Sequence, residues 1–189
     1  DNRGSSRIIN QIFSGQKVKS DKVNSKKEII LKGNLRIRKI NDKDINHYLY
    51  CRNLKINRKM SSNSKIISSL DHYNWWFNTK RNSYVLLENG RKILYFYDEE
   101  VFSLYKKKYF LSGWFACENE CSVRHILFIL NWQRNLRKNV TWISFVKKTN
   151  LLAIKYSKYV GWKIFKKKNS IMLLLKRRYK LDINKFIFY

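Results

Sequence analysis

The carboxylate and imidazole side chains that could act as general bases are confined to part of this chain. Between Ser122 and Leu181 there is no aspartate or glutamate, whereas the same stretch holds sixteen lysine and arginine residues. A protonated amine must lose a proton to a general base before it can attack a carbonyl carbon. The candidate bases are therefore earlier carboxylates and two of the histidines, namely Asp71, Glu88, Asp98, Glu99, Glu100, Glu118, Glu120, His72 and His125.

Two histidine–cysteine pairs have the spacing of metal ligands on one face of a helix. His47 precedes Cys51 by four residues, and Cys121 precedes His125 by four. Together they would make a tetrahedral Cys2His2 set for zinc. The sequence does not show that the two helices face one another, and this spacing is more typical of core and surface residues. We therefore predict no metal site.

The composition limits the functional classes that are open to this chain. Its 189 residues carry 41 basic and 13 acidic side chains, a formal net charge of +28, and 44% of them are hydrophobic, which excludes a disordered chain. No G-x-G-x-x-G or P-loop motif occurs, so neither a dinucleotide site nor a Walker nucleotide site is expected. Apolar runs are too short for a spanning helix. Three cysteines, an odd number, favour a reducing compartment, and we expect a cytoplasmic protein without disulfides.

Hydrophobic alternation and capping residues predict the elements that must position these groups. Residues 35–40 alternate with period two, as a half-buried strand does. Three helices are predicted to begin at capping residues, namely Asn41 or Asp42, Ser68 or Ser69, and Ser122. The other predicted elements are a hairpin at 83–87 and 92–97, strands at 109–117, 140–146, 162–166 and 171–176, and a helix at 151–160.

This order of elements predicts one α/β domain. Helices that are interspersed among strands and hairpins imply a mixed central sheet flanked by helices. We assign residues 34–189 to this domain and residues 1–33, which are polar, to an N-terminal extension. Basic triplets at 166–168 and 176–178 flank the last hairpin. That basic end either suits a polyanion, including nucleic-acid phosphates, or is a solvated face of a lysine-rich chain.

The element order, with two helices after the first strand, resembles the fold of the GNAT superfamily of N-acetyltransferases. The stretch Trp142-Ile-Ser-Phe-Val146, followed by Asn150, Ala153 and Gly161-Trp162, matches the family ending of strand, V-x-x-x-N-x-x-A, helix and G-F. A second run resembles bacterial GNAT enzymes that acetylate amino sugars on nucleotide carriers, including those of pseudaminic acid type. It comprises Arg52-Asn53, Arg58, Ser61, Ile67-Ser68, His72 and Trp76-Phe77.

The resemblance implies an activity and a set of site residues. GNAT enzymes transfer the acetyl group of acetyl-CoA to a primary amine, and the second run implies an amino sugar nucleotide as acceptor. Acetyl-CoA would be bound by Phe115, Ala116, Cys117, Ser122, Val123, Arg124 and Asn150. Backbone N–H groups of residues 115–117 would polarise the thioester carbonyl. The acceptor would contact Arg52, Asn53 and Trp76, and the catalytic residues would be Glu118 as base, His72 as the second choice, and Ser157.

This chain departs from the family pattern at two places. The loop before Ser122 lacks the glycines that present backbone N–H groups to the pyrophosphate in most members. Ser157 stands seven residues after Asn150, where many members carry the tyrosine that protonates the departing thiolate. The adjacent Tyr156 is predicted to be a core residue.

These departures keep rival hypotheses open. One is a non-catalytic GNAT-like module that binds nucleic acid through its basic C-terminal half, for example within a ribonucleoprotein; another is an acyltransferase that uses a different acyl carrier. The enzyme hypothesis makes one structural demand, which the resemblance implies. The strand predicted at 109–117 and the strand predicted at 140–146 must part and leave a gap between them.

Overall fold

The structure is a computed structural model that describes residues 29–31, 34–61, 63–104, 107–118, 121–137, 140–159, 161–166 and 170–176. The strands are β1 (Ile29–Leu31), β2 (Leu35–Lys39), β3 (Asn82–Glu88), β4 (Arg91–Leu104), β5 (Lys107–Ala116), β6 (Val140–Lys147), β7 (Lys163–Lys166) and β8 (Ser170–Lys176). The helices are α1 (Ile45–Asn53), α2 (Lys55–Met60), α3 (Ser69–Asn78), α4 (Val123–Leu136) and α5 (Leu151–Tyr159), and a single 3-10 turn, Asp42–Asp44, precedes α1.

The described strands form one sheet in the order β1-β2-β3-β4-β5-β6-β8-β7. Every neighbouring pair is antiparallel except β5 and β6, which are parallel. The predicted mixed α/β sheet is therefore confirmed. Strand β1 lies within the segment predicted as an extension and pairs with β2. The rest of that extension lies outside the described residues.

Helices cover both faces of the sheet. Consecutive strand residues point to opposite sides, so each face presents apolar side chains against which a helix can pack. On one face, Tyr48 and Cys51 of α1 pack with alternate strand residues, namely Val85, Tyr95 and Phe115, and α3 packs against this cluster. On the other face, Ile126 and Ile129 of α4 pack with the intervening strand residues, namely Leu86, Leu94 and Phe96. The sheet is thus the middle layer, and β5, the strand predicted at 109–117, lies close to its centre.

The β3–β4 hairpin turns on two residues with left-handed backbone conformations. Asn89 has φ 50° and Gly90 has φ 79°. Two successive positive φ angles match the twist of the flanking strands, and Asn-Gly adopts them at little cost. The hairpin predicted at 83–87 and 92–97 is confirmed.

A buried carboxylate anchors the start of α1 to the sheet. The Asp44 side chain accepts hydrogen bonds from two guanidinium nitrogens of Arg38 at 2.6 and 2.9 Å and from the Asn41 N–H at 3.0 Å. Lys92 Nζ lies 2.8 Å from Asp44 Oδ1. Burial alone would raise the pKa of Asp44, but the hydrogen bonds from Arg38, Lys92 and the Asn41 backbone lower it from 3.8 to about 2.

This shift predicts a specific dependence of stability on pH. A carboxyl whose pKa is lower in the folded chain than in the unfolded chain stabilises the fold fully above its unfolded pKa, and loses that contribution as the pH falls through the folded value. We expect Asp44→Asn to cost about 2 kcal/mol of unfolding free energy near neutral pH. The difference from wild type should shrink between about pH 4 and pH 2 in urea titrations. A difference that stays constant over this range would contradict the assignment.

Candidate active site

Strands β5 and β6 part from one another halfway along their length. They pair over four positions only, from Lys108 with Val140 to Leu111 with Ile143. Beyond these pairs, β5 continues to Ala116 and β6 to Lys147. Each strand is still held on its other edge, β5 by β4 and β6 by β8. The result is an open gap, here called the wedge, between residues 112–116 and residues 144–147.

The backbone of β5 presents few free donors to the wedge. Cys117 donates its N–H to the Ile93 carbonyl of β4 at 2.8 Å. Because donors alternate along an antiparallel strand, the Phe115 N–H also faces β4, whereas Trp114 and Ala116 face the wedge. The Ala116 N–H, however, donates to Asn57 Oδ1 at 3.3 Å, and Asn57 Nδ2 donates to the Ala116 carbonyl at 2.7 Å.

These bonds correct the prediction for the donors at Phe115, Ala116 and Cys117. The N–H groups of Ala116 and Cys117 donate to other residues of the protein, and the Phe115 N–H points to β4. The Trp114 N–H also faces the wedge by this alternation, and it has no such partner among the described residues. Trp114 itself is 36% exposed. Sequence reasoning missed both Trp114 and Asn57, because nothing in the local pattern shows that a helix residue reaches the end of β5.

Helix α4 begins after Ser122, as predicted, and the side chains of its first turn bond within the protein. Arg124 Nη2 donates to Glu88 Oε1, and the His125 Nε2–H donates to Glu88 Oε2 at 3.2 Å. The Ser122 N–H donates to His125 Nδ1 at 3.1 Å. The Arg124 guanidinium is therefore paired with Glu88 of β3, and its contact with acetyl-CoA stays a prediction. The Val123 and Arg124 N–H groups lie in the first turn, where no preceding turn supplies an acceptor.

On the β6 side of the wedge, Asn150 caps helix α5. Its Oδ1 accepts the Ala153 N–H at 3.1 Å, and its carbonyl accepts the Ile154 N–H at 3.1 Å. The N-x-x-A spacing is thus a capping pattern, which leaves the amide nitrogen of Asn150 outside the cap. Ser157 is half-buried in α5, and its carbonyl accepts the Trp162 N–H at 2.9 Å. Tyr156 packs against the α4 face of the core, which confirms its predicted role.

The polar residues predicted to bind the acceptor are bonded to their own surroundings. Arg52 Nη2 donates to Ser61 Oγ, and Trp76 Nε1 donates to Asp42 Oδ1 at 3.0 Å. The Asn53 amide clamps Ile67 from both sides, with its Nδ2 2.8 Å from the carbonyl and its Oδ1 2.9 Å from the N–H. These residues hold together the segment around α1–α3, and their contact with an acceptor stays a prediction.

The two predicted bases occupy opposite environments. His72 is 2% exposed, its Nε2–H donates to the Ile45 carbonyl at 2.9 Å, and its ring stacks on Tyr48. Burial lowers the pKa of this imidazole. His72 therefore lies in the core, and its role as the second-choice base stays a prediction. Glu118 is exposed directly beyond β5, with φ 59°. A left-handed glutamate is uncommon and is a feature that clusters at functional sites.

The histidine–cysteine pairs do not come together as the Cys2His2 set considered from the sequence. The structure brings Cys117, not Cys121, to His47 and Cys51. Burial lowers the pKa of His47, and a hydrogen bond with Cys51 together with burial raises the pKa of Cys117. His125 belongs to the Glu88 network instead.

The architecture is shared with solved structures of low sequence identity. A domain from Methanocaldococcus jannaschii matches with a TM-score of 0.62 at 21% identity, over 75% of this chain and 97% of that one. The GNAT domain of PAT from S. lividans matches with a TM-score of 0.60 at 12% identity, over 79% and 95%. The putative acetyltransferase yncA from Salmonella typhimurium, solved with its cofactor acetyl-CoA, matches with 0.56 at 11% identity, over 82% and 100%.

Comparison by sequence adds nothing to this picture. No protein-family model matches the chain, and no curated protein sequence matches it. Among the described helices, none is both long enough and apolar enough to cross a membrane. Together with the parallel pair β5–β6 that opens into the wedge, the structural matches show that this chain has the GNAT fold.

Proposed function

We propose that this protein is an N-acetyltransferase that transfers the acetyl group of acetyl-CoA to a primary amine. The observation that carries the proposal is the wedge, where β5 and β6 separate after Leu111 and Ile143 although both strands remain paired on their other edges. A sheet that opens in its middle exposes backbone groups at a cost. An extended ligand arm that lies between the two strands would satisfy those groups.

The donor side of the proposed site is built from backbone and amide groups. The Trp114 N–H would donate to the thioester carbonyl and stabilise the negative charge that develops on its oxygen. The first N–H groups of α4, at Val123 and Arg124, would receive a phosphate of acetyl-CoA at the positive end of the helix dipole. The Asn150 amide nitrogen, free of the α5 cap, would hold the pantetheine arm.

The proposed reaction is direct transfer. Glu118, through a water molecule, takes a proton from the acceptor ammonium, and the amine nitrogen attacks the thioester carbon. The carbon–nitrogen bond forms, the carbon–sulfur bond breaks, and the CoA thiolate leaves. The attacking nitrogen must lose a second proton to become an amide, and Ser157 would relay that proton through water to the thiolate, since its own hydroxyl is a weak acid.

The acceptor class is the most specific part of the proposal. An amino sugar nucleotide is supported by the run from Arg52 to Phe77, whose residues resemble those of enzymes acting on such sugars. Because Arg52 and Asn53 are bonded within that segment, they would act by shaping the acceptor surface. The nucleic-acid hypothesis depends on basic triplets whose side chains lie outside the described residues, and it stays a prediction.

Calorimetric titration with acetyl-CoA tests the proposal directly. We expect one binding event with a dissociation constant in the micromolar range, and release of free CoA thiol when an amino sugar nucleotide is added. Heat indistinguishable from dilution would contradict the proposal. Retention of mixed RNA at physiological salt, without acetyl-CoA binding, would favour the nucleic-acid hypothesis instead.

Substitution of Asn150 separates its capping role from its proposed role in binding. Asn150→Ala removes both the cap and the amide donor, whereas Asn150→Ser keeps an oxygen that can cap α5. We expect both variants to bind acetyl-CoA roughly three- to tenfold more weakly, the value of one hydrogen bond. Only the alanine variant should also lose about 1 kcal/mol of stability. Unchanged affinity in Asn150→Ser would remove Asn150 from the donor site.

A further inference from the structure

A cluster of one imidazole and two thiols lies beneath α1 at the end of β5. His47 and Cys51 come from α1, and Cys117 is the first residue after β5. One ligating atom from each lies within 4.8 Å of the others, and both cysteines are buried. Neither the proposed acetyl transfer nor the packing of an ordinary apolar core requires these three groups to converge.

The separations are close to those of a tetrahedral metal centre. Zinc binds thiolate sulfur at about 2.3 Å and imidazole nitrogen at about 2.0 Å, so a tetrahedral angle places the two ligand atoms roughly 3.5 Å apart. Cys51 Sγ lies 3.5 Å from Nδ1 and 3.8 Å from Nε2 of His47. The four-residue spacing on α1 aligns this pair on one helix face. The ligand atom of Cys117 lies within 4.8 Å of both others, so a contraction of at most about 1 Å would bring it into the same coordination sphere.

Hydrogen bonds around the cluster already hold its members in position. His47 Nδ1 lies 2.9 Å from Tyr95 Oη, and a ligating histidine characteristically bonds such a partner through the nitrogen that does not bind metal. Asn57 Nδ2 donates to the Cys51 carbonyl at 2.6 Å. The Cys117 N–H donates to Ile93 at 2.8 Å. The three ligands are therefore arranged before any ion arrives.

The charges of the cluster suit a divalent ion of borderline softness. Two thiolates neutralise the ion, so the buried complex carries no net charge. A set of two sulfur atoms and one nitrogen favours zinc over magnesium or calcium, which take oxygen ligands.

We propose that His47, Cys51 and Cys117 bind one zinc-type metal ion, with His47 Nε2 as the nitrogen ligand and a water molecule in the fourth position. The ion links α1 to the end of β5 and thereby fixes the β5 side of the wedge. Metal binding needs no acetyl-CoA, so it can be tested independently of the proposed acetyl transfer.

The test uses the full chain, reduced and stripped of metal with a chelator, and titrated first with Co2+ and then with Zn2+. We expect one equivalent of Co2+ to produce thiolate-to-metal charge-transfer absorption with the intense visible bands of a tetrahedral site, and Zn2+ to abolish both. Cys51→Ser and Cys117→Ser should lose the charge-transfer absorption. Cys121→Ser is the matched control, since the third cysteine lies outside the cluster, and it should behave as wild type.

A second variant keeps the proposal falsifiable if a buried cysteine proves necessary for folding. Tyr95→Phe retains all three ligands but removes the hydrogen bond to His47, and it should weaken Zn2+ binding about tenfold. Circular dichroism reports whether each variant is folded. Absence of the charge-transfer absorption in the folded wild type would overturn the proposal, as would its persistence in Cys117→Ser or an unchanged Zn2+ affinity in Tyr95→Phe.

Discussion

Arg137→Met is expected to lower the free energy of unfolding by about 3 kcal/mol, because it leaves a buried carboxylate without its cation. Asp98 on β4 is fully buried, and its Oδ1 accepts hydrogen bonds from Arg137 Nη2 at 2.7 Å and Nε at 3.1 Å. The guanidinium also lies over the Phe110 ring, 4.5 Å from its centroid. This pair joins the C-terminus of α4 to the centre of the sheet.

The matched control is an exposed ion pair on the same sheet. Lys108 Nζ lies 3.1 Å from Glu100 Oε2, with the two side chains 59% and 40% exposed. Lys108→Met should cost less than about 1 kcal/mol. Adding Asp98→Asn to Arg137→Met should recover part of the loss, because no buried charge then remains unpaired. Chemical denaturation measures all three effects, and equal losses at the two single sites would contradict the argument.

Glu118→Gln is expected to lower kcat for acetyl transfer about 100-fold at neutral pH, the contribution of one general base. The substitution keeps the size of the side chain and removes its capacity to accept a proton. Affinity for acetyl-CoA should stay within about twofold of wild type, because in the proposed mechanism Glu118 acts through water on the acceptor and not on the donor. Release of CoA thiol from a panel of primary amines, with amino sugar nucleotides among them, measures the rate.

A pH profile distinguishes loss of a base from loss of structure. In Glu118→Gln the rate should rise steeply with pH, since an alkaline medium supplies the free amine that the base would otherwise generate. Glu100→Gln, an exposed carboxylate of β4 paired with Lys108, is the control and should keep the wild-type rate. A wild-type rate in Glu118→Gln would assign the base to another residue.

Local chemistry predicted most of the elements. Ser68 and Ser122 precede α3 and α4 as N-caps, and Asn89-Gly90 forms the hairpin turn, because capping and positive φ are properties of single residues and their near neighbours. Helix α2 was missed. It has only six residues, and its N-cap position, Leu54, makes no side-chain cap, so it carries no local signal.

The site residues were less predictable, because their roles depend on partners that are distant in the chain. Arg124 pairs with Glu88, and Asn57 reaches Ala116. Such contacts arise only when the sheet brings the elements together, so residue types that suit a phosphate or a sugar can be satisfied internally instead. The run beginning at Arg52 is the clearest case, since Arg52, Asn53 and Trp76 bond to neighbouring backbone and side chains.

The sequence by itself determined the order of the elements, the mixed sheet and the resemblance to the GNAT fold, since alternation, caps and turns are encoded in short stretches. Only the tertiary structure decided that β5 and β6 separate after Leu111 and Ile143, that Cys117 joins His47 and Cys51, and that His72 lies in the core. Each of these depends on the distance in space between residues of different strands or helices. Sequence spacing does not constrain that distance.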